Sequence, residues 1–134
     1  MAVMVETTLW VDHFRASTPR AVKDQVLPIV NQRNVCVVEP VLFELLANVP
    51  RRDRRRLENY FALVSLLPAQ ATLWRDTISL GQKCVDAGLT LPSMDLLIAA
   101  AAIHHDAEVV TFDAHFADIA TLSPLRVSVL TRAV

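Results

Sequence analysis

Four acidic residues stand where a chain normally avoids charge. Glu6 ends the apolar run Val3-Met4-Val5. Glu44 interrupts Val41-Leu42-Phe43 and Leu45-Leu46. Asp95 opens the apolar stretch at residues 96–103, and Asp113 follows Val109-Val110-Thr111-Phe112. A buried carboxylate is costly unless it is paired or holds a cation. Four of them spread along one chain read as contributors to a shared site. Converging carboxylates suit Mg²⁺ or Mn²⁺, which take hard oxygen ligands. The chemistry of such a site is metal-assisted cleavage of a phosphodiester. One ion, or two about 3.5–4 Å apart, lowers the pKa of a water and neutralises the leaving oxygen, so no side-chain nucleophile is needed. Without a cation, mutual repulsion raises some of the carboxyl pKa values.

Each acid also has a plainer reading. Asp95 at a helix start suits the helix dipole, and Asp113 could cap the turn Asp113-Ala114-His115-Phe116. Glu44 could form a structural ion pair with an arginine. Glu6 could lie exposed at a strand end. The joint pattern carries more weight than any one member.

Other reactive side chains are less telling. The spacing of His13, His104, His105 and His115 fits no zinc signature. His104 and His105 suit a helix C-terminus, whereas His115 lies two residues after Asp113 and could approach the same substrate. Ser93 reads as a helix cap that could also hold a water beside Asp95. Cys36 and Cys84 sit in apolar surroundings and read as reduced, inert core residues. Trp10 and Trp74 suit a core or a partner interface.

These groups need elements to position them. Val3–Val5 reads as a buried strand, followed by a short helix over residues 9–15. Thr18-Pro19 starts the next helix, with Thr18 as its N-cap and Val22, Val26, Ile29 and Val30 on one face. A second strand covers residues 35–38. Pro40 begins a helix carrying Glu44. Pro50 opens an arginine-rich helix, with Leu57, Tyr60, Phe61 and Val64 on one face, which Pro68 stops. A helix over residues 72–86 ends near Gly88, and residues 89–91 are extended. An apolar helix runs from Ser93 or Met94 to about residue 105. Strands are expected at residues 108–111 and 127–130. Alternating strands and helices predict a three-layer α/β/α fold, with a central, mostly parallel sheet of four to five strands. Ligands of such sheets bind beyond the carboxyl ends of the strands, where Glu6 and Asp113 fall.

The 134 residues suit one domain, residues 1–134. A 53% hydrophobic fraction and a mean hydropathy of +0.36 are high for a small monomer, so apolar surface is expected to meet a partner or a second copy. No apolar run reaches the length of a membrane span. The N-terminus lacks a basic region and Glu6 comes early, so no signal peptide is expected and the protein reads as cytoplasmic. A net charge of −1 argues against coating nucleic acid by charge alone. The basic charge is nearly all arginine and concentrates at Arg51, Arg52, Arg54, Arg55 and Arg56. That run reads as a solvated helix start, an RNA-phosphate contact or a surface for an acidic partner. With two glycines, the chain has no glycine-rich phosphate loop.

The stretches Val5-Glu6-Thr7-Thr8-Leu9-Trp10-Val11-Asp12 and Glu39-Pro40-Val41-Leu42-Phe43-Glu44-Leu45 precede Leu91-Pro92-Ser93-Met94-Asp95-Leu96-Leu97-Ile98-Ala99-Ala100 and Val110-Thr111-Phe112-Asp113-Ala114-His115-Phe116. In this order they resemble the PIN-domain family, and within it the VapC-type toxins of bacterial toxin–antitoxin pairs. The resemblance implies a Mg²⁺- or Mn²⁺-dependent endoribonuclease, a homodimer or larger assembly, and a cognate VapB-type antitoxin. It maps the catalytic quartet onto Glu6, Glu44, Asp95 and Asp113, with Glu6, Asp95 and Asp113 as metal ligands and Thr8 as a hydroxyl near the metal. It also suggests an antitoxin arginine placed against the carboxylates. The family normally has Asp at the position of Glu6. Glutamate is longer by one methylene, which displaces its carboxylate by about 1 Å in a site with strict geometry.

Two functions follow. The first is a metal-dependent ribonuclease toxin whose activity Glu6 weakens. The second is a PIN-like binding module that engages an antitoxin without turnover. A phospho-receiver domain would need a late strand-end lysine, and none follows Lys83. For partner contact, the apolar candidates are Trp10, Phe14, Leu42, Phe43, Tyr60 and Phe61.

Overall fold

The computed structural model describes residues 1–133. Five strands form one parallel sheet: β1 (Val3–Val5), β2 (Val35–Val38), β3 (Ser65–Leu67), β4 (Glu108–Thr111) and β5 (Arg126–Val129), in the order β3-β2-β1-β4-β5. Among the described residues, seven helices join them: α1 (Thr7–Phe14), α2 (Arg20–Val30), α3 (Glu39–Leu46), α4 (Arg51–Phe61), α5 (Leu73–Asp86), α6 (Ser93–His104) and α7 (His115–Thr121). From β1 the chain steps one way to β2 and β3, then crosses back to β4 and β5. Right-handed crossovers in opposite directions place α1–α4 on one face and α5–α7 on the other. The expected three-layer α/β/α architecture is therefore present.

β-Branched residues make the central strands. Residues 35–38 are all buried, as a strand covered on both faces requires. The core joins Met4, Val5, Leu9, Trp10, Val37, Val38 and Val41 to Ile98, Phe116 and Ile119, all completely buried. Four successive alanines, residues 99–102, are buried in α6; their small side chains let this helix lie close to its neighbours. No helix among the described residues is long and apolar enough to cross a membrane.

Several local expectations change. The arginine-rich helix ends at Phe61, well before Pro68, so Val64 lies outside it. Edge strand β3 occupies part of the gap. Its Ser65 and Leu66 are exposed, so it lacks a buried-strand pattern; pairing of Cys36, Val37 and Val38 with Ser65, Leu66 and Leu67 creates it. α1 starts at Thr7 because the Glu6 side chain caps it by accepting from the Thr8 N–H. Thr18 caps nothing at α2; its hydroxyl faces Asp12 Oδ1 at 3.4 Å, and Pro19 takes the cap position. Ser93 likewise lies inside α6, after Pro92 at the cap position, with no side-chain cap bond. β5 begins one residue earlier than expected, and α7 forms where only a turn was anticipated.

Of the apolar residues proposed for partner contact, Trp10 and Phe61 belong to the core. Trp10 donates from Nε1 to the Val5 carbonyl at 2.9 Å and meets Phe14, Tyr60 and Phe61 in an aromatic cluster. Phe43 is exposed, and Trp74, Ile78 and Val85 on α5 add exposed apolar surface. Both cysteines are free and buried, and burial pushes the Cys36 thiol up to about 11.

α5 and α6 end in the same way. After α5, Gly88 adopts φ 83°, its N–H bonds to Val85 O, and the Leu89 N–H reaches back to Cys84 O. After α6, Asp106 takes φ 51°, with its N–H on Ile103 O and the Ala107 N–H on Ala102 O. A side chain at Gly88 would meet nothing within 4 Å, so replacing it costs backbone strain alone. Gly88→Ala is expected to lower unfolding stability by about 1–2 kcal/mol; a urea titration that finds no loss would refute this account of the cap.

Candidate active site

The strand order reverses between β1 and β4, which opens a crevice at their carboxyl ends. Glu6 sits immediately after β1, and Thr111 and Asp113 lie at and just beyond the end of β4. Glu44 comes from α3, which follows β2, and Asp95 from the first turn of α6. All four acids, with Thr8, line one pocket of about 560 Å³.

Their environments differ. Glu6 is buried, and its Oε1 accepts three bonds: from Thr8 N at 3.1 Å, Thr8 Oγ1 at 2.6 Å and Thr111 Oγ1 at 2.6 Å. Both hydroxyls are oriented from behind, because the Phe112 N–H donates to Thr8 Oγ1 and the Asp113 N–H donates to Thr111 Oγ1. The plainer reading of Glu6 as an exposed strand-end residue is therefore excluded. Thr111 was not singled out from the sequence. Its position as the last strand residue before the acidic turn was the available signal.

Glu44 Oε1 accepts from Thr7 Oγ1 at 2.7 Å, in place of the arginine pair considered for it. Asp113 Oδ1 accepts from the His115 N–H at 2.9 Å, so it also holds its own turn. Asp95 Oδ2 lies 3.0 Å from His115 Nδ1, which in turn is 3.3 Å from Asp113 Oδ1. Asp95, Asp113 and His115 each offer a ligand atom within 4.8 Å of the others; Glu6 lies outside that group. A nitrogen and two carboxylate oxygens at this spacing are a donor set that fits a divalent cation.

Three further charged residues line the pocket. Asp12 is buried and receives a bidentate contact from Arg132, Nε to Oδ2 at 2.8 Å and Nη2 to Oδ1 at 3.0 Å. Arg15 lines the same space. Asp12 and Arg132 are 120 residues apart in sequence, so no local pattern links them. The arginine run at residues 51–56 does not line this pocket; Arg52 and Arg56 lie beside Asp53, and Arg54 donates to Val49 O.

Electrostatics follow from burial. Desolvation pushes the Glu6 carboxyl up against the pull of the Thr111 and Thr8 hydrogen bonds, and Asp113 adds repulsion. Desolvation also raises Asp95, opposed by the His115 bond and assisted by Asp113 and Glu44. His115 is raised, first by its bond to Asp95 and then by Asp113. Asp12 goes the other way, held low by Arg132.

The sequence profile of the PIN domain matches residues 3–122. The chain is 32% identical over 130 residues to Ribonuclease VapC11 of Mycobacterium tuberculosis, covering 92% of this chain and 96% of that protein. It is also 32% identical over 122 residues to Ribonuclease VapC19 of the same species, covering 90% and 97%. Among solved structures, the complex of VapBC2 from Rickettsia felis with a promoter DNA fragment contains a chain that superposes with a TM-score of 0.75 at 20% identity, covering 97% of this chain and 99% of that one. A chain of VapBC-5 from Mycobacterium tuberculosis gives 0.66 at 20% identity, covering 96% and 98%.

The raised groups set a pH dependence. Glu6 and Asp95 hold protons to higher pH in the folded chain than in the unfolded one. From about pH 4 upward the native state therefore binds more protons, and stability falls as pH rises. His115 acts in the same sense: its contribution is full below about pH 6.5 and is lost as pH rises through its raised folded value. Asp95→Asn should raise the Tm of the metal-free protein at neutral pH by about 3 °C and flatten this decline. Added Mn²⁺ should stabilise the parent and not the variant. Thermal melts across pH, with and without the cation, measure both effects; a lower Tm for the variant at neutral pH would refute the assignment.

Proposed function

The chain belongs to the PIN domain family, and from that premise we propose that it is a metal-dependent endoribonuclease, the toxin half of a toxin–antitoxin pair. One observation carries the reading: the four acids, drawn from four separate parts of the chain, line a single pocket at the switch point of the sheet. The relatives over nearly the full length are ribonucleases by name, and the similar folds come from toxin–antitoxin complexes. These observations support the same activity and an antitoxin of the VapB type as partner.

Asp95 and Asp113, with Glu6 beside them, would hold Mg²⁺ or Mn²⁺. Such a cation, when bound, supplies charge neutralisation and a more acidic water. The chain's own residues do the rest. Thr8 and Thr111 hold Glu6 through hydroxyl hydrogen bonds, and Thr7 fixes Glu44. Arg15, and Arg132 in its bidentate pair with Asp12, put guanidinium groups in the pocket wall, suited to a phosphodiester that must approach carboxylates. Exposed Phe43, Trp74, Ile78 and Val85 provide apolar surface for a second copy or for the antitoxin.

A second reading, the binding module without turnover, draws on Glu6 itself. Its Oε1 already accepts three hydrogen bonds, where the family normally carries the shorter aspartate. Cleavage of a structured-RNA pool with Mg²⁺ or Mn²⁺ by the parent, Glu6→Asp and Asp95→Ala separates the two readings. A nuclease is expected to cut in the first two cases and to lose about 100-fold or more with Asp95→Ala. Cutting by Glu6→Asp alone would establish that Glu6 disables the site. Silence of all three folded proteins across several RNA pools would favour the binding module.

A further inference from the structure

We propose that His115 is itself a ligand of the divalent cation, through Nδ1, so that the centre is a mixed nitrogen and oxygen site. This rests on the metal-nuclease reading and extends it to a residue outside the acidic quartet.

The geometry begins at the turn between β4 and α7. The backbone N–H of His115 donates to Asp113 Oδ1 at 2.9 Å, which fixes the residue relative to that carboxylate. The imidazole then faces back across the turn toward α6. Its Nδ1 lies 3.0 Å from Asp95 Oδ2 and 3.3 Å from Asp113 Oδ1. The ring has at most one hydrogen at Nδ1 to offer, yet two carboxylate oxygens converge on it. An octahedral ion with ligands at about 2.1 Å spaces adjacent donors about 3.0 Å apart. The His115 contacts already have nearly that spacing. With the ring proton on Nε2, Nδ1 presents a lone pair to the same point as the two carboxylates.

Glu6 is differently placed. Its Oε1 is occupied by Thr8 and Thr111, and the donor group within 4.8 Å contains Asp95, Asp113 and His115 without it. His115 therefore supplies a third donor where the longer Glu6 side chain is tied to the sheet. Its side chain is 47% exposed, so replacing it leaves the core intact. An imidazole ligand shifts preference from Mg²⁺, which favours oxygen, toward Mn²⁺ and softer ions.

The test is pulsed electron paramagnetic resonance of Mn²⁺ added to the full chain, which detects nitrogen bonded to the ion without any turnover. The parent should show ¹⁴N modulation, which converts to the ¹⁵N pattern when only the histidines are labelled. Modulation should vanish in His115→Ala and His115→Gln while Mn²⁺ still binds to the remaining carboxylates. Mn²⁺ bound to the parent without nitrogen modulation, or modulation that survives both substitutions, would overturn the ligand assignment and leave the nuclease reading standing. Absence of any protein-bound Mn²⁺ or competing Mg²⁺ at millimolar concentration would remove both.

Discussion

The structure depends on concentrating negative charge at the carboxyl end of a parallel sheet. Four carboxylates approach the same crevice, and two of them, Glu6 and Asp95, are almost fully withdrawn from water. Such an arrangement is unfavourable unless hydrogen bonds, a proton or a cation offset it. The sheet supplies the first of these. Glu6 joins β1 to β4 through Thr8 and Thr111, and its own N–H bonds to Val110 O at 3.0 Å. The same contacts that fix the acid also hold together the two strands between which the crevice opens.

The rest of the fold explains how such a site is tolerated. Stability comes from the apolar layers on either side of the sheet, where Trp10, Met4, Ile98 and Phe116 are completely buried. Trp10 anchors α1 through the Val5 carbonyl, one residue before Glu6. The alanines of α6 bring that helix close enough for its first turn to present Asp95 beside Asp113 and His115. The packed core thus holds a strand end where like charges crowd together, a division expected where function and stability compete.

Much of this organisation was legible in the sequence because it is written locally. Alternation of β-branched runs with amphipathic stretches marks four of the five strands, and the placement of Glu6, Glu44, Asp95 and Asp113 within apolar context marks the acids. What was hidden is made by tertiary pairing. β3 has no buried pattern and exists because β2 offers it a hydrogen-bonding edge. Thr18 and Ser93 have the chemistry of N-caps, yet prolines take those positions. Local spacing could bring His115 near Asp113, but only the docking of α6 against α7 brings Asp95 to the same imidazole. Trp10 and Phe61 could equally have served a partner, and the packing of α1 against α4 decides that they face inward.

Asp12 and Arg132 show the same principle at longer range. Beyond β5, the Leu130 N–H bonds to Thr111 O at 2.8 Å, and Gln25 Nε2 donates to Thr131 O at 2.8 Å. The Ala133 N–H bonds to Gln25 Oε1 at 2.9 Å. These bonds hold the C-terminal segment across α1 and α2 and deliver the Arg132 guanidinium to Asp12 at the pocket wall. A bidentate pair fixes the orientation of a guanidinium that would otherwise be mobile. Its charge is thereby placed in the pocket wall, paired with Asp12, by the segment that follows β5. The pocket therefore sets the four acids beside an ordered Asp12–Arg132 pair and Arg15. On the proposed reading, a cation at the acids and an anionic phosphate beside them would each find a group of opposite charge in this wall.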